Sequence, residues 1–198
     1  ISPDEYRAEE ICVMAYNEKD GRLAAIQTCK NAEDIDIELT SGAYNIYVTA
    51  NMGTFDAPDD ESDITTASYQ VSSFQDIGEA LPMCWKGKAE IKAGETTTIN
   101  ASLSRLVSRI SFRVETGILE GLEIDSVRLC QGAGILRPFM EDGSRILSSD
   151  EALNGDHATE EDIASLMDGE NICFYAVENC QGTLLPQNTD PWKKVPDN

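Results

Sequence analysis

Six cysteines, one histidine and a large surplus of carboxylates are the residues of this chain whose types could carry chemistry. The cysteines stand at positions 12, 29, 84, 130, 173 and 180 with no C-x-x-C pair, so neither a zinc site nor a thioredoxin-type dithiol is encoded. His157 follows Asn154-Gly155-Asp156 without the third group that would hold it as a catalytic base, and it reads as a solvated loop residue. There is no H-E-x-x-H, no G-x-S-x-G and no glycine loop that would cradle phosphate. With 36 acidic residues, neighbouring carboxylates arise by chance. Glu115 and Glu178 lie beside apolar runs and are the two a glycosidase-type pair would draw on. Trp85 and Trp192 could stack on a sugar ring, but an isolated tryptophan more often serves a core or a partner contact. No catalytic, cofactor or metal site follows, and the expectation is a protein that is not an enzyme and needs no cofactor.

The charge sets the partners. Against 36 acids stand 15 basic residues, a formal charge of −21. Such a surface repels nucleic-acid phosphates and anionic lipid, and its plain meaning is a solvated exterior. The acids of 54–68 lack the ligand spacing of a calcium loop. No apolar run approaches the roughly 18 residues needed to cross a bilayer. The opening Ile1-Ser2-Pro3-Asp4-Glu5 is not a signal peptide, so export would require a targeting segment already removed.

What could position any site is a series of short strands. Ile11–Tyr16 and Leu23–Cys29 flank Asp20-Gly21, a two-residue hairpin signal. That turn pairs Lys19 with Arg22 and, counting outward, Cys12 with Cys29. Two readings stay open there: a cross-strand disulfide, or two buried thiols. Asp36–Leu39 alternates as a short strand, and Ala43–Asn51, β-branched and aromatic between Gly42 and Gly53, is the strongest strand signal. Residues 54 to 68 read as a long acidic surface loop. Lys88–Lys92 and Thr96–Leu103 form a second hairpin around Ala93-Gly94-Glu95. Leu106–Val114, Leu122–Cys130 and Asn171–Val177 are further strands. One helix is encoded at Thr159–Gly169, with a Thr N-cap, an acidic first turn and a glycine stop. Many strands at intervals of about ten residues predict a β-sandwich.

Four stretches in order resemble the fimbrillin family of Bacteroidales, the subunits and tip proteins of surface pili. They are the opening hairpin closed by Asp20-Gly21, Ser41-Gly42-Ala43-Tyr44-Asn45-Ile46-Tyr47-Val48-Thr49-Ala50-Asn51-Met52-Gly53, Leu81-Pro82-Met83 with Leu103-Ser104-Arg105-Leu106, and Phe174-Tyr175-Ala176-Val177-Glu178-Asn179-Cys180-Gln181-Gly182. In the last, Ala176 stands where that family usually has proline.

The resemblance implies an all-β protein of two transthyretin-like (Greek-key) β-sandwich domains, 1–104 and 105–198, the second incomplete in this chain, with one short helix. It further implies a pilus subunit or tip adhesin, exported as a lipoprotein to the outer membrane or fimbrium. Such a protein touches the membrane only through a removed lipid anchor. Its partners would be other pilus subunits joined by donor-strand exchange, with a host or bacterial surface ligand beyond them. The family continues past the Glu-Asn-x-x-Gly segment with further strands, so the chain is expected to be truncated or its second domain incomplete. Arg7, basic in a polar segment, is a candidate for trypsin-like processing should an N-terminal strand have to leave before assembly. The alternative function is a glycan-binding module of an outer-membrane uptake system.

Overall fold

The computed structural model describes residues 7–31, 35–53, 55–71, 77, 80–115, 121, 123–140 and 152–177. Glu178, Cys180 and Trp192 lie outside them. The described chain is antiparallel β-structure with one α-helix, as the strand pattern predicts.

Strand β1 (Ile11–Asn17) organises the first half. From Ile11 to Tyr16 it has no charged residue, and all six of these side chains are buried. A strand apolar on both faces must lie inside a sheet and be covered on both sides. Two strands flank it, β2 (Leu23–Cys29) and β3 (Gly42–Ala50). Beyond β3, past the two-residue β4 (Tyr69–Gln70) in sequence, comes β5 (Met83–Ile91), then the two-residue β6 (Ser104–Arg105), giving the order β2-β1-β3-β5-β6.

The two faces are covered differently. Ile11, Val13 and Ala15 share one face with Tyr44, Ile46 and Val48 of β3, the three residues expected to point the same way. Ile35, Ile37 and Leu39 cover them from the β2–β3 connection. These three residues alternate with exposed neighbours, as the predicted strand would, but among the described residues 35–39 joins no ladder.

On the opposite face lie Cys12, Met14 and Tyr16, beneath Phe55, Ile64 and Phe139. The expectation of a plain surface loop at 54–68 is therefore corrected. Asp56, Asp59 and Asp63 face water, but the loop's apolar residues need a face to cover and seal this side of the sheet. The Tyr16 hydroxyl donates to the Pro58 carbonyl at 2.8 Å, and Leu23 N–H donates to the Asp59 carbonyl at 2.9 Å. Rings of Tyr16, Tyr47, Phe139 and Phe55 meet edge to face in sequence, with centroids 5.7, 4.9 and 6.2 Å apart. Each such pair adds about 0.5–1.5 kcal/mol beyond the area it buries.

The remaining strands are β7 (Val107–Phe112), β8 (Arg128–Ala133), β9 (Ile135–Leu136), β10 (Ala152–His157) and β11 (Ile172–Val177). They pair as β7 with β11, β8 with β10, and β9 with β4. The β4–β9 pair and Phe139 bring residues past 134 back against the first sheet. Helix α1 (Glu160–Met167) forms as the capping signals require, with Thr159 and Asp162 in a capping box, and buries Leu166 with Ile172 and Phe174. His157, expected in a loop, ends β10 opposite Arg128; the ladder reaches it through two register shifts that no alternation rule reveals.

Asn51 closes the first sheet at the β1 entry and is the one described non-glycine residue with positive φ, at 60°. Its side chain accepts from Glu9 N–H at 2.8 Å and donates to the Arg7 and Leu81 carbonyls, each at 2.9 Å. Its own N–H donates to the Glu10 carbonyl. Replacing Asn51 by Ala should cost about 2–4 kcal/mol in a denaturant titration, through buried groups left unpaired and a strained backbone. Asn51→Gly should recover about 1 kcal/mol of that, because glycine tolerates the positive φ.

Candidate functional site

Among the described residues, those singled out for chemistry do not converge. Glu115 is exposed on the chain after β7. His157 is at the end of β10, and the partner proposed for Glu115, Glu178, lies outside the described residues, as does Trp192. Among the described residues no group of three His, Cys, Asp or Glu is arranged to hold a metal.

Cys12 and Cys29 are not bridged. The loop between β1 and β2 holds four residues, Glu18–Gly21, rather than two, because Gly21, at φ +69°, donates to the Asn17 carbonyl and Asn17 donates to Arg22. A bulge at Ala24 then shifts the ladder once more, so Cys12 opposes Thr28 and Cys29 opposes Ile11. An odd shift puts the two cysteines on opposite faces of the sheet. Cys12 is a buried free thiol, and burial pushes its pKa up.

Arg7 is exposed and paired with Glu9 at 3.2 Å, while its carbonyl is held by Asn51. With Tyr69, Ile77 and Lys30, this entry segment borders a cavity of about 700 Å³.

The distinctive geometry lies along β5. Only its first residues are paired on the outer side, Met83 with Arg105 and Cys84 with Ser104. From Trp85 to Ile91 that edge has no ladder partner among the described residues. The register, if continued, would put Trp85 opposite Leu103 and Ile91 opposite Thr97 around the predicted turn at Gly94. The second hairpin thus has its expected turn, where Glu95 N–H donates to the Lys92 carbonyl at 3.2 Å, but its expected second strand, Thr96–Leu103, forms no ladder with β5 among the described residues. Thr97 Oγ1 donates to the Glu90 carbonyl there at 3.3 Å. The physical reason is burial: every residue from Lys92 to Ser102 is exposed, Ile99 by 38%. A ladder that hides so little apolar surface gains little from closing.

Leu106 N–H donates to the Pro82 carbonyl, which fixes the orientation of the edge. Alternation from Pro82 aims the N–H and C=O groups of Lys86, Lys88 and Glu90 away from β3. On the core-facing side, Trp85 lies flat across Gly87: a Cβ on Gly87 would meet the indole Cη2 at 2.3 Å. The half-buried indole packs on the open face of the core, so it is not a free platform for a sugar ring. On the other side Lys88 pairs with Glu18, whose carboxylate holds the ammonium above its ordinary range. A cleft of about 380 Å³ runs there between Glu18, Tyr44 and Ile91.

Glu61 stabilises the sealed face beside this edge, and sequence reasoning missed it among so many acids. It accepts from the Tyr47 hydroxyl at 2.7 Å and from Asn45 Nδ2 at 3.0 Å. Asn51 stands within the motif that ends β3 and Lys88 opens a predicted strand, while Lys86 falls before it; no motif in the sequence marks their roles. The available signal was Lys86-x-Lys88, two cations on one strand face in an acidic chain.

Two predictions follow from this region. Gly87→Ala must displace the indole, costing about 1–3 kcal/mol and red-shifting the Trp85 emission in a Trp192→Phe background. Alkali should act through the phenols. Burial first, then the nearby Glu61 charge, raise Tyr16 to about 12; burial and the Glu61 hydrogen bond raise Tyr47 as well. Both phenols titrate near 10.0 when unfolded, so their contribution is whole below that pH. Above it the unfolded chain ionises first and stability falls until the folded phenols ionise too. The urea midpoint should drop from about pH 10 to about pH 12, and less so in Tyr47→Phe.

No family profile matches the sequence, and no curated protein matches it. Solved structures do match. A fimbrial assembly protein from Parabacteroides distasonis aligns over 89% of this chain and 72% of its own, with 12% identity and a TM-score of 0.53. A candidate cell adhesion protein from Bacteroides eggerthii aligns over 89% and 65%, with 16% identity and a TM-score of 0.62. A C-terminally truncated tip fimbrial protein from Porphyromonas gingivalis aligns over 88% and 65%, with 13% identity and a TM-score of 0.55. The chain thus spans about two thirds of the length of these structures. It has the β-sandwich fold of Bacteroidales fimbrial and adhesion proteins, the group whose sequence motifs its own resemble.

Proposed function

We propose that this chain is a structural or adhesive subunit of a surface pilus, with no catalytic turnover, joined to its neighbours by strand donation. The observation that carries the reading is the edge of β5. It offers backbone groups at Lys86 and Lys88 with no ladder partner among the described residues, beside a core face covered by Ile35, Ile37 and Leu39 and, from the returning segment, by Leu103 alone. An incomplete layer of this kind takes an extended segment from another chain, with main-chain hydrogen bonds supplying affinity and alternate side chains supplying specificity. The fold shared with fimbrial proteins supports the same reading.

On this proposal the protein is exported as a lipoprotein to the outer membrane and displayed at the cell surface. No described helix is long and apolar enough to cross a membrane. Arg7 is the processing point in this scheme, and the grip of Asn51 on its carbonyl would have to open for a protease to act.

The test is cross-linking in the cell that makes the protein. With a photo-reactive amino acid at Lys86, irradiation should give a ladder of covalent multimers. Lys88→Pro deletes one outward N–H and spares the β3 side, since proline is tolerated at an outer edge. It should cut the ladder roughly tenfold, the effect of losing about 1.4 kcal/mol. Cross-links confined to the monomer would end the strand-donation reading.

A further inference from the structure

We infer that the open edge of β5 selects a strand with acidic residues at alternate positions, facing Lys86 and Lys88; this rests on the strand-donation reading above. The argument is one of charge at short range. The chain carries 15 basic residues against 36 acidic, yet Lys86, Lys88 and Lys92 stand, with Glu90 between the last two, on one face of one strand and its exit. All three are exposed, and among the described residues Lys86 and Lys92 make no ion pair. The opposite face of the strand, Met83, Trp85, Gly87, Ala89 and Ile91, is directed at the core. An incoming strand must therefore alternate: apolar or small residues toward the core, and residues of the complementary charge beside the lysines.

The chain's own candidate for this edge does not meet that demand. Continued from the β6 pairing, segment 97–103 would set Ser102 beside Lys86, Asn100 beside Lys88 and Thr98 beside Glu90. None is charged, so closing the hairpin leaves Lys86 uncompensated, leaves Lys88 with Glu18 alone, and buries little. A strand bearing acids at those two positions outcompetes it at the same backbone register. The lysines also act in the other direction. Edge lysines discourage indiscriminate pairing with neutral or basic strands, so the same residues admit one partner and exclude others.

Three nine-residue synthetic peptides, alternating Val-Glu, Val-Thr and Val-Lys, distinguish the outcomes by fluorescence anisotropy. The Val-Glu peptide should bind roughly fivefold tighter than Val-Thr at low salt, and Val-Lys weakest. The preference should vanish near 1 M salt, where the screening length is about 3 Å. It should reverse in the Lys86→Glu/Lys92→Glu variant, whose folding is checked by its thermal melt. Equal binding of all three peptides would overturn the charge selection while leaving strand donation intact. If none binds even when Ile99→Pro keeps segment 97–103 from closing, the strand-donation reading falls and takes this inference with it.

Discussion

Everything in the first half of the molecule answers to the need to bury β1 on both faces. Six consecutive buried side chains, Ile11 to Tyr16, cannot sit on an edge or a surface, so strands must flank them and two layers must cover them. Full burial of a large apolar side chain contributes about 1.5–3 kcal/mol, enough to draw even a run as acidic as 54–68 onto the sheet. The covers then differ in kind. One side is closed by rings, by Ile64 and by the bonds of Glu61; the other is closed by extended segments whose backbones find no ladder.

That difference explains why Trp85 lies as it does. A strand edge beside an incompletely covered core exposes apolar surface, and the indole folded over Gly87 shields part of it. The shield depends on the missing side chain at 87, since any Cβ would collide with the ring. A glycine in mid-strand normally weakens a sheet, and here it lets the core-facing side of an open edge be covered by its own residue.

How much of this was legible in the sequence divides along physical lines. β1, β2, β3, the paired part of β7, β11 and the helix were readable because each carries its own signal: alternation, an apolar run, or a capping box from Thr159 to Asp162. The hairpin at Gly94 was readable in its turn but not in its pairing, because pairing depends on what the strand can bury. The Cys12–Cys29 pairing failed for a related reason: one bulge at Ala24 and two extra loop residues reverse which face a side chain takes, and neither leaves a mark in the pattern. The short strands β4 and β9 were illegible, since two residues have no period and are ordered by partners more than sixty positions away. For the candidate edge, the sequence offered the lysines; that the edge is open is a property of the whole sheet.

Charge ties the edge to the behaviour of the whole chain. At −21, two copies repel at distances beyond the screening length, about 8 Å at physiological salt, while the lysines of β5 act only on a strand already in contact. Salt therefore pushes the two stages of an encounter in opposite directions: it eases approach and weakens the final charge pairing. Backbone hydrogen bonds along the edge, insensitive to salt, would bridge the two regimes. On the proposed reading, such a charge discourages copies from associating through arbitrary faces, while the β5 edge, with Lys86 free of any ion pair among the described residues, is a place where an acidic strand would gain by arriving.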